Sequence, residues 1–469
     1  MTDYHTFEQA GEHYLFFTRS ARLYQISRLA FGMLAEFFPP TCDPDAFPPD
    51  PPRPLPAEER SLYGELRDLV SRELRAPVPL PQPRHAILQG NSYQTFSIYL
   101  AQTCNMACCY CWNRGGTFGK PGHLMGWDTA QRATRLILSL VERSSADKVF
   151  INFYGGEPLL DFPVLQQVTQ ELLQHEARLE KNFYLTLDTN GTLLDGPAAQ
   201  FLARYFTQVG VSLDGSQRIH DLQRPGKYGE ETWQLIANNI KAFPNQKLLG
   251  IRATLTTFSD SYLETFRHLT TLGIKRIQLE YCHEPGYHQN PIYEKLIVPP
   301  ERQLAELREF VDYYVDYISE YNDTWDIPFV SNVLDNITRI RRGSRFTKPC
   351  GAGANTLAIN SHGKVFPCIA FVEREDFAMG QVDDTQRLNL HQSLEGFEVD
   401  GQHQCQACWL RYDCAGGCYA THYDMTGHPR RPHPEYCRSM QGRAKVYFYA
   451  LTRMLNKCPW HLEKVHAPV

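Results

Sequence analysis

Cys104-Asn105-Met106-Ala107-Cys108-Cys109-Tyr110-Cys111 follows the apolar run Ser97–Ala101, and its reading organises the rest of the chain. Cys104, Cys108 and Cys111 are spaced C-x3-C-x2-C. Three thiols this close do not form a disulfide framework, because one is always left over. They suit an iron–sulfur cluster, whose irons take thiolate ligands. Three protein ligands on a four-iron cluster leave one iron open for chemistry. A zinc knuckle or a plain electron-transfer cluster is the alternative for this spacing alone, so the downstream motifs must decide.

Composition sets outer bounds. A chain of 469 residues is long enough for two or three domains. Its formal charge of −5 carries no polyelectrolyte signature, so nucleic acid is not an expected partner. Met1–Ala10 is polar with no apolar h-region, so no signal peptide is visible. No apolar run reaches membrane-spanning length, which predicts no membrane association. Fourteen cysteines without an export signal read as metal or cluster ligands in a reducing compartment, with the cytoplasm as the expected location.

The segment 4–38 reads as a small unit. His5–Phe17 is a predicted hairpin turning at Gly11, followed by a short strand at Ala21–Ile26. Ser27–Phe38 has helical apolar spacing at Leu29, Met33, Leu34 and Phe37. Pro39–Pro56 is half proline and reads as a stiff tether. An amphipathic helix over Ala57–Arg75 and a second proline break at Pro77–Pro83 complete the region.

From residue 92 strands and helices alternate. Strands are predicted at 93–101, 148–154, 182–188, 208–213, 249–257 and 275–281. Helices are predicted at 128–144, 161–178, 196–206, 230–242, 260–272 and 301–320. Six βα units argue for an α/β fold, a parallel barrel or open barrel, with ligands at the C-terminal ends of the strands. Polar and glycine-rich stretches fall at those ends. They are Tyr154-Gly155-Gly156-Glu157-Pro158, Asp188-Thr189-Asn190-Gly191-Thr192, and Val211-Ser212-Leu213-Asp214-Gly215 followed by His220-Asp221 and Arg224. Arg252-Ala253-Thr254 lies on the fifth strand, and Glu280, Cys282 and His283 lie at the end of the sixth.

The cysteine loop, with aromatic Tyr110 before its third cysteine, resembles that of the radical S-adenosylmethionine (SAM) enzymes. The resemblance implies a partial (β/α)6 barrel. In that family the open iron chelates SAM, and an electron from the cluster cleaves it to a 5′-deoxyadenosyl radical. Gly155-Gly156-Glu157-Pro158 is similar to the family's GGEP motif, whose backbone and glutamate hold the SAM amino group. The S-x-D-G…H-D…R stretch is similar too, and implies SAM contacts for Ser212 and Arg224. Arg224 offers a planar fork to the SAM carboxylate. Tyr110, Asn190 and Asp214 join the cofactor-binding candidates. Glu280, Cys282 and His283 are the catalytic candidates, with no choice among them.

A second array follows at Cys350, Gly363-Lys364-Val365-Phe366-Pro367-Cys368, Cys405, Cys408, Cys414, Cys418 and Cys437. It resembles the SPASM domain, which holds two auxiliary four-iron clusters. The resemblance assigns Cys405, Cys408, Cys414 and Cys437 to a distal cluster, and Cys350, Cys368 and Cys418 to a proximal one. Some members add a proximal ligand where this chain has Thr356, so the fourth site is open, filled by an unannounced side chain such as Cys282, or filled by substrate. One or two zinc sites are the competing reading, which leaves Cys350, Cys368 and Cys418 without a role. Of the remaining cysteines, Cys42 and Cys458 read as bystanders and Cys109 as core, while Cys282 is placed for the cavity.

The strand order of the N-terminal unit resembles the winged-helix peptide-binding domain that precedes many radical SAM peptide-modifying enzymes. That domain adds a precursor's leader as an extra strand. Three domains are therefore expected: a leader-recognition unit with its tether at 1–85, the radical SAM barrel at 90–325, and the SPASM domain with a C-terminal helix at 326–469. The expected function is maturation of a ribosomally made precursor peptide or protein by an oxidative crosslink, a thioether or a carbon–carbon or aryl cyclophane. It would use three [4Fe-4S] clusters, SAM and a flavodoxin- or ferredoxin-type reductant. A formylglycine-forming oxidase is an alternative, but that relative's aspartate base follows the second proximal cysteine, where this chain has Ile369. A dehydrogenase of a small alcohol or sugar, and a non-catalytic iron–sulfur electron carrier, are the others.

Overall fold

Strands β4 (Thr95–Gln102), β5 (Lys148–Gly155), β6 (Asn182–Thr189), β7 (Gln208–Ser212), β8 (Leu249–Leu255) and β9 (Arg276–Tyr281) run parallel in a computed structural model of the chain. The structure describes residues 3–40, 50–78, 80–81, 94–282, 292–321, 327–383, 388–389, 394 and 398–464. His283 and Cys42 fall outside them.

Alternation builds the barrel wall. On β6, Phe183, Leu185 and Leu187 are buried while Tyr184, Thr186 and Asp188 are less so. A strand's side chains point to opposite faces in turn, so one row meets the covering helices and the other lines the interior. Helices α3 (Trp127–Glu142), α4 (Phe162–Gln174), α5 (Gly196–Tyr205), α6 (Trp233–Ala242), α7 (Tyr262–Thr270) and α8 (Pro300–Ser319) follow these strands. On α3, Ala130, Ala133, Ile137, Leu140 and Val141 form the buried stripe. The helix expected over 161–178 is shorter: a 3-10 turn at Pro158–Asp161 precedes α4, and Glu176–Leu179 is a separate turn.

The barrel is open, and its sheet continues at both ends. Strand β10 (Phe329–Val330) pairs parallel with β9, and α9 (Ser331–Arg341) follows it. On the other edge, β11 (Thr356–Ile359) pairs parallel with β4, placing Thr356 opposite Thr95. Strands β12 (Lys364–Phe366) and β13 (Gly380–Gln381) extend this edge antiparallel. Sequence periodicity gives no hint of this addition, because β12 and β13 are two or three residues long. The long helix α10 (Pro434–Lys457) packs across α8 and α9.

At the N-terminus β1 (Tyr4–Gln9), β2 (Glu12–Phe17) and β3 (Arg22–Ile26) form an antiparallel meander. Ala10 and Gly11 take φ of 59° and 80°, the left-handed pair that a two-residue hairpin turn requires. One face packs Tyr4, Leu15 and Phe17 on α1 (Arg28–Phe37) and α2 (Ala57–Arg75). The opposite face packs Phe7, Tyr14 and Phe16 with Trp409 and Phe448. Ser27 caps α1 by accepting from the Ala30 amide at 3.1 Å. The apolar stripe of α1 differs from the expected one: Leu29 is 44% exposed, and Ala30 occupies the buried position.

Candidate active site

The C-terminal ends of β4 to β9 surround a cavity of about 370 Å³. Cys104, Cys108 and Cys111 line it, with Tyr110 between them. Gly155, Gly156, Asn190, Ser212 and Arg224 join from three further strand ends, and Glu280 and Cys282 close the far side. Glu157 and Asp214 are not in the lining; both are buried behind it.

Backbone contact explains the two glycines. A Cβ on Gly156 would overlap the carbonyl oxygens of Thr103 and Gly115, and one on Gly155 would overlap that of Ala101. The glycines thus let the β5 end nest against the cysteine loop, a closer constraint than the approach of a ligand. Asn113 secures the same junction. Its Nδ2 donates to the Gly155 carbonyl at 3.2 Å, and its Oδ1 accepts from the Gly116 amide at 3.0 Å and the Cys111 thiol at 2.8 Å. Sequence reasoning missed Asn113, since a single asparagine beyond the third cysteine has no spacing signal.

Glu157 joins β5 to β6. Its carboxylate accepts from the amides of Leu159 and Asn190, at 3.0 and 2.7 Å, and from the Thr189 hydroxyl at 2.8 Å. Burial outweighs these donors and raises its pKa to about 7. Asn190, held this way, donates to Cys104 Sγ at 3.6 Å and to Asn105 Oδ1 at 2.8 Å. The role of Glu157 in this structure is to set Asn190 in place.

Arg224 Nη1 donates to the Tyr110 hydroxyl at 2.6 Å, and that hydroxyl donates to Asp214 Oδ2 at 2.6 Å. Gln223 Nε2 and the Thr254 amide also donate to Asp214, at 3.2 and 3.1 Å. Burial raises the Asp214 carboxyl although Arg224 opposes the shift. Arg224 Nε is buried without a hydrogen-bond partner. Arg252 pairs with Asp188 across the cavity wall, and Gly210 leaves the room both side chains occupy. The sequence places Arg252 on its strand, but nothing in it announces the partner.

The three thiols fit a cluster. Cys104 Sγ accepts from the Met106 amide at 3.4 Å and Cys111 Sγ from the Gly115 amide at 3.1 Å, as a thiolate ligand requires. Burial pushes Cys104 up to about 11 and Cys108 up to about 12, and binding to a metal would displace both protons. Arg224 opposes the shift at Cys108. Among the described residues no three His, Cys, Asp or Glu side chains gather as a single-ion site. Cluster thiolates bind different irons and need not converge on one point.

The C-terminal cysteines fall into two groups. Cys368 has Cys350 and Cys418 as charge neighbours, while Cys405 and Cys414 have Cys408 and Cys437. Cys350 and Cys368 pack with Tyr99, Phe118 and Ile369, and Tyr154 joins the same cluster from the cavity wall. Ile369 offers its carbonyl to the Tyr99 hydroxyl at 3.2 Å. Thr356 Oγ1 bonds Asn355 Oδ1 at 3.2 Å. Cys282 packs in a different cluster from Cys350 and Cys368, with Cys109, Tyr110 and Leu296.

Residues 98–270 match the Radical SAM superfamily. A cysteine-type anaerobic sulfatase-maturating enzyme of Clostridium perfringens is 23% identical over 366 residues, covering 75% of this chain and 95% of that protein. A serine-type enzyme of Bacteroides thetaiotaomicron is 22% identical over 349 residues, covering 69% and 81%. Among solved structures, native anSMEcpe with bound AdoMet superposes with a TM-score of 0.64 at 21% identity, covering 77% of this chain and 99% of the other. Streptococcus suis SuiB bound to S-adenosylmethionine gives 0.50 at 16% identity, covering 93% and 99%. These superpositions establish the fold. With the three-cysteine loop at the mouth of an open parallel barrel and a superfamily match over 98–270, the chain is a radical SAM enzyme related to the anaerobic sulfatase-maturating enzymes.

Proposed function

We propose that this enzyme installs an oxidative crosslink, a thioether or a carbon–carbon or aryl bond, in a ribosomally made precursor peptide or protein. Cys104, Cys108 and Cys111 would hold the SAM-binding [4Fe-4S] cluster, with Arg224, Asn190, Ser212 and the Gly155–Gly156 backbone around SAM. When bound, these groups supply a 5′-deoxyadenosyl radical. Cys405, Cys408, Cys414 and Cys437 would hold one auxiliary cluster, and Cys350, Cys368 and Cys418 another. The cavity walls exclude water and orient the peptide.

The observation that carries this reading is the packing of the Cys350–Cys368 group against Tyr99 and Tyr154, beside the radical cavity. A site that removes hydrogen atoms has a candidate electron sink next to it. The relatives support a peptide or protein substrate: SuiB has a solved structure with precursor peptide SuiA, and anSMEcpe has one with the Cp18Cys peptide. Formylglycine formation is disfavoured, because Ile369 cannot accept a proton where that relative has its base.

The N-terminal unit, within 1–85, would dock the leader. Strand β3 is an edge strand and borders a groove of about 710 Å³. Arg22, Tyr24, Arg342 and Leu455 are among its walls, suited to an extended segment that adds to β3. The barrel and the auxiliary domain take 90–325 and 326–469. A flavodoxin- or ferredoxin-type reductant would approach the outer side of the cysteine loop, where Arg114, Thr117 and Lys227 border a second opening. No helix among the described residues is long and apolar enough to cross a membrane.

The test is anaerobic incubation with SAM, a reductant and any short peptides found encoded beside this gene. Peptide-dependent 5′-deoxyadenosine with loss of two hydrogens from one peptide supports the reading. 5′-Deoxyadenosine formed with a small alcohol or sugar and with no peptide would replace it with the dehydrogenase.

A further inference from the structure

Oxidative crosslinking removes two hydrogens from the substrate, and a carbon radical accounts for only one. The second leaves as a proton and needs an acceptor within the cavity. The position that holds this acceptor in formylglycine-forming relatives is Ile369, which has no proton-accepting side chain.

Few groups lining the cavity remain. The Tyr110 hydroxyl is committed to Arg224 and Asp214. Asp188 is ion-paired with Arg252. Burial raises Tyr154 and Cys282 to about 12 each, so both keep their own protons at neutral pH. Glu157 and Asp214 lie behind the wall, with their carboxylates filled by donors.

Glu280 differs from all of these. It projects from the C-terminal end of β9 on the interior row with Gln278, opposite the buried Leu279 and Tyr281. Asn332, in the first turn of α9, donates from Nδ2 to Glu280 Oε1 at 3.1 Å. The same Nδ2 donates to the Leu279 carbonyl at 2.8 Å, so the amide is braced against the β9 backbone. Glu280 Oε2 accepts no hydrogen bond from the described residues, and the side chain is exposed where it lines the cavity. Arg252 stands near enough to sense the Glu280 charge.

We propose that Glu280 is the proton acceptor of the crosslinking reaction, with Asn332 positioning it. The step is a heterolysis. The X–H bond of the crosslinking partner breaks, its electron pair stays on the substrate, and an O–H bond forms at Glu280 Oε2. Closing the new bond on the carbon radical leaves one electron in excess, which would pass to the auxiliary iron–sulfur cluster that Cys350, Cys368 and Cys418 would hold. This rests on the proposed function, and it selects a peptide whose second reacting group is an S–H, N–H or activated C–H seated between β8 and β9.

The test compares the parent enzyme with Glu280→Gln and Glu280→Asp, using the peptide that the parent converts. Iron content and peptide-dependent 5′-deoxyadenosine are measured beside product. For Glu280→Gln, product should fall about 100-fold or more while 5′-deoxyadenosine stays within about threefold. Glu280→Asp should regain at least about tenfold over Glu280→Gln, because the shorter carboxylate still accepts a proton. Product from Glu280→Gln within about threefold of the parent would overturn the assignment, as would a parallel fall of product and 5′-deoxyadenosine. A parent that converts no peptide removes the proposed function itself, and this inference with it.

Discussion

The Tyr110 hydroxyl stands between Arg224 and Asp214, accepting from one and donating to the other, each at 2.6 Å. Tyr110 lies inside the cysteine loop, whereas Asp214 and Arg224 follow β7. One phenol thus fixes the loop to the strand end that carries the buried guanidinium.

Tyr110→Phe should separate these charges and cost about 1–3 kcal/mol, the usual penalty for leaving a buried polar group unpaired. SAM binding should weaken with it, read as a higher apparent KM for SAM in 5′-deoxyadenosine formation. Arg224→Lys should be at least as damaging, since an ammonium cannot reproduce the planar fork.

Gly156→Ala tests the nesting of the two loops. The added methyl would meet the Thr103 and Gly115 carbonyls, so the cysteine loop must move away. Iron at the Cys104–Cys108–Cys111 site should be lost selectively, with the signals of the proposed C-terminal clusters retained in electron paramagnetic resonance spectra. Normal incorporation at all sites would show that the loop tolerates the displacement.

Glu157 gives a pH signature in the iron-free protein. Its pKa rises from an ordinary 4.5 to about 7 on folding, because burial penalises the carboxylate. The native state therefore holds this proton more tightly than the unfolded chain. The contribution is complete below about pH 4.5 and is lost as pH rises through about 7, at most about 3 kcal/mol in all. Urea unfolding of the parent and Glu157→Gln at pH 5 and pH 7.5 should show a smaller drop in the variant. Equal drops would remove Glu157 as the cause.

Trp409 ties the N-terminal meander to the auxiliary region, one residue after Cys408. It stacks on His5 at 4.4 Å between ring centroids, and Phe7, Phe16 and Phe448 surround it. Trp409→Ala should cost about 3–5 kcal/mol, as large-to-small changes in aromatic cores do. Thermal unfolding and limited proteolysis within residues 4–38 would read it. The same packing means that deleting the meander exposes an apolar face, so changes on the free edge of β3 test leader docking more cleanly.

The sequence announced the parts of this molecule with strong local periodicity. Strands β5, β6 and β9 alternate buried and interior residues, while β4 is a continuous buried run, and an amphipathic helix follows each of the six barrel strands. The cysteine spacing likewise marked Cys104, Cys108 and Cys111, which the fold brings to one cavity with Arg224 and Asn190. Long-range relations were not legible. The pairing of Thr356 with Thr95 joins segments 261 residues apart through strands too short to show a period. Asn332 meets Glu280 only because β10 docks beside β9. The motif around Glu157 implies a SAM contact, but nothing in it announces the three donors by which the carboxylate braces Asn190.

The most direct test of the central claim combines iron content with SAM cleavage in a single variant. Anaerobically reconstituted parent protein should carry about twelve irons, as three four-iron clusters, and form 5′-deoxyadenosine with a reductant. With Cys104, Cys108 and Cys111 all replaced by alanine, about eight irons should remain and 5′-deoxyadenosine should disappear. Undiminished SAM cleavage in that variant would contradict the account.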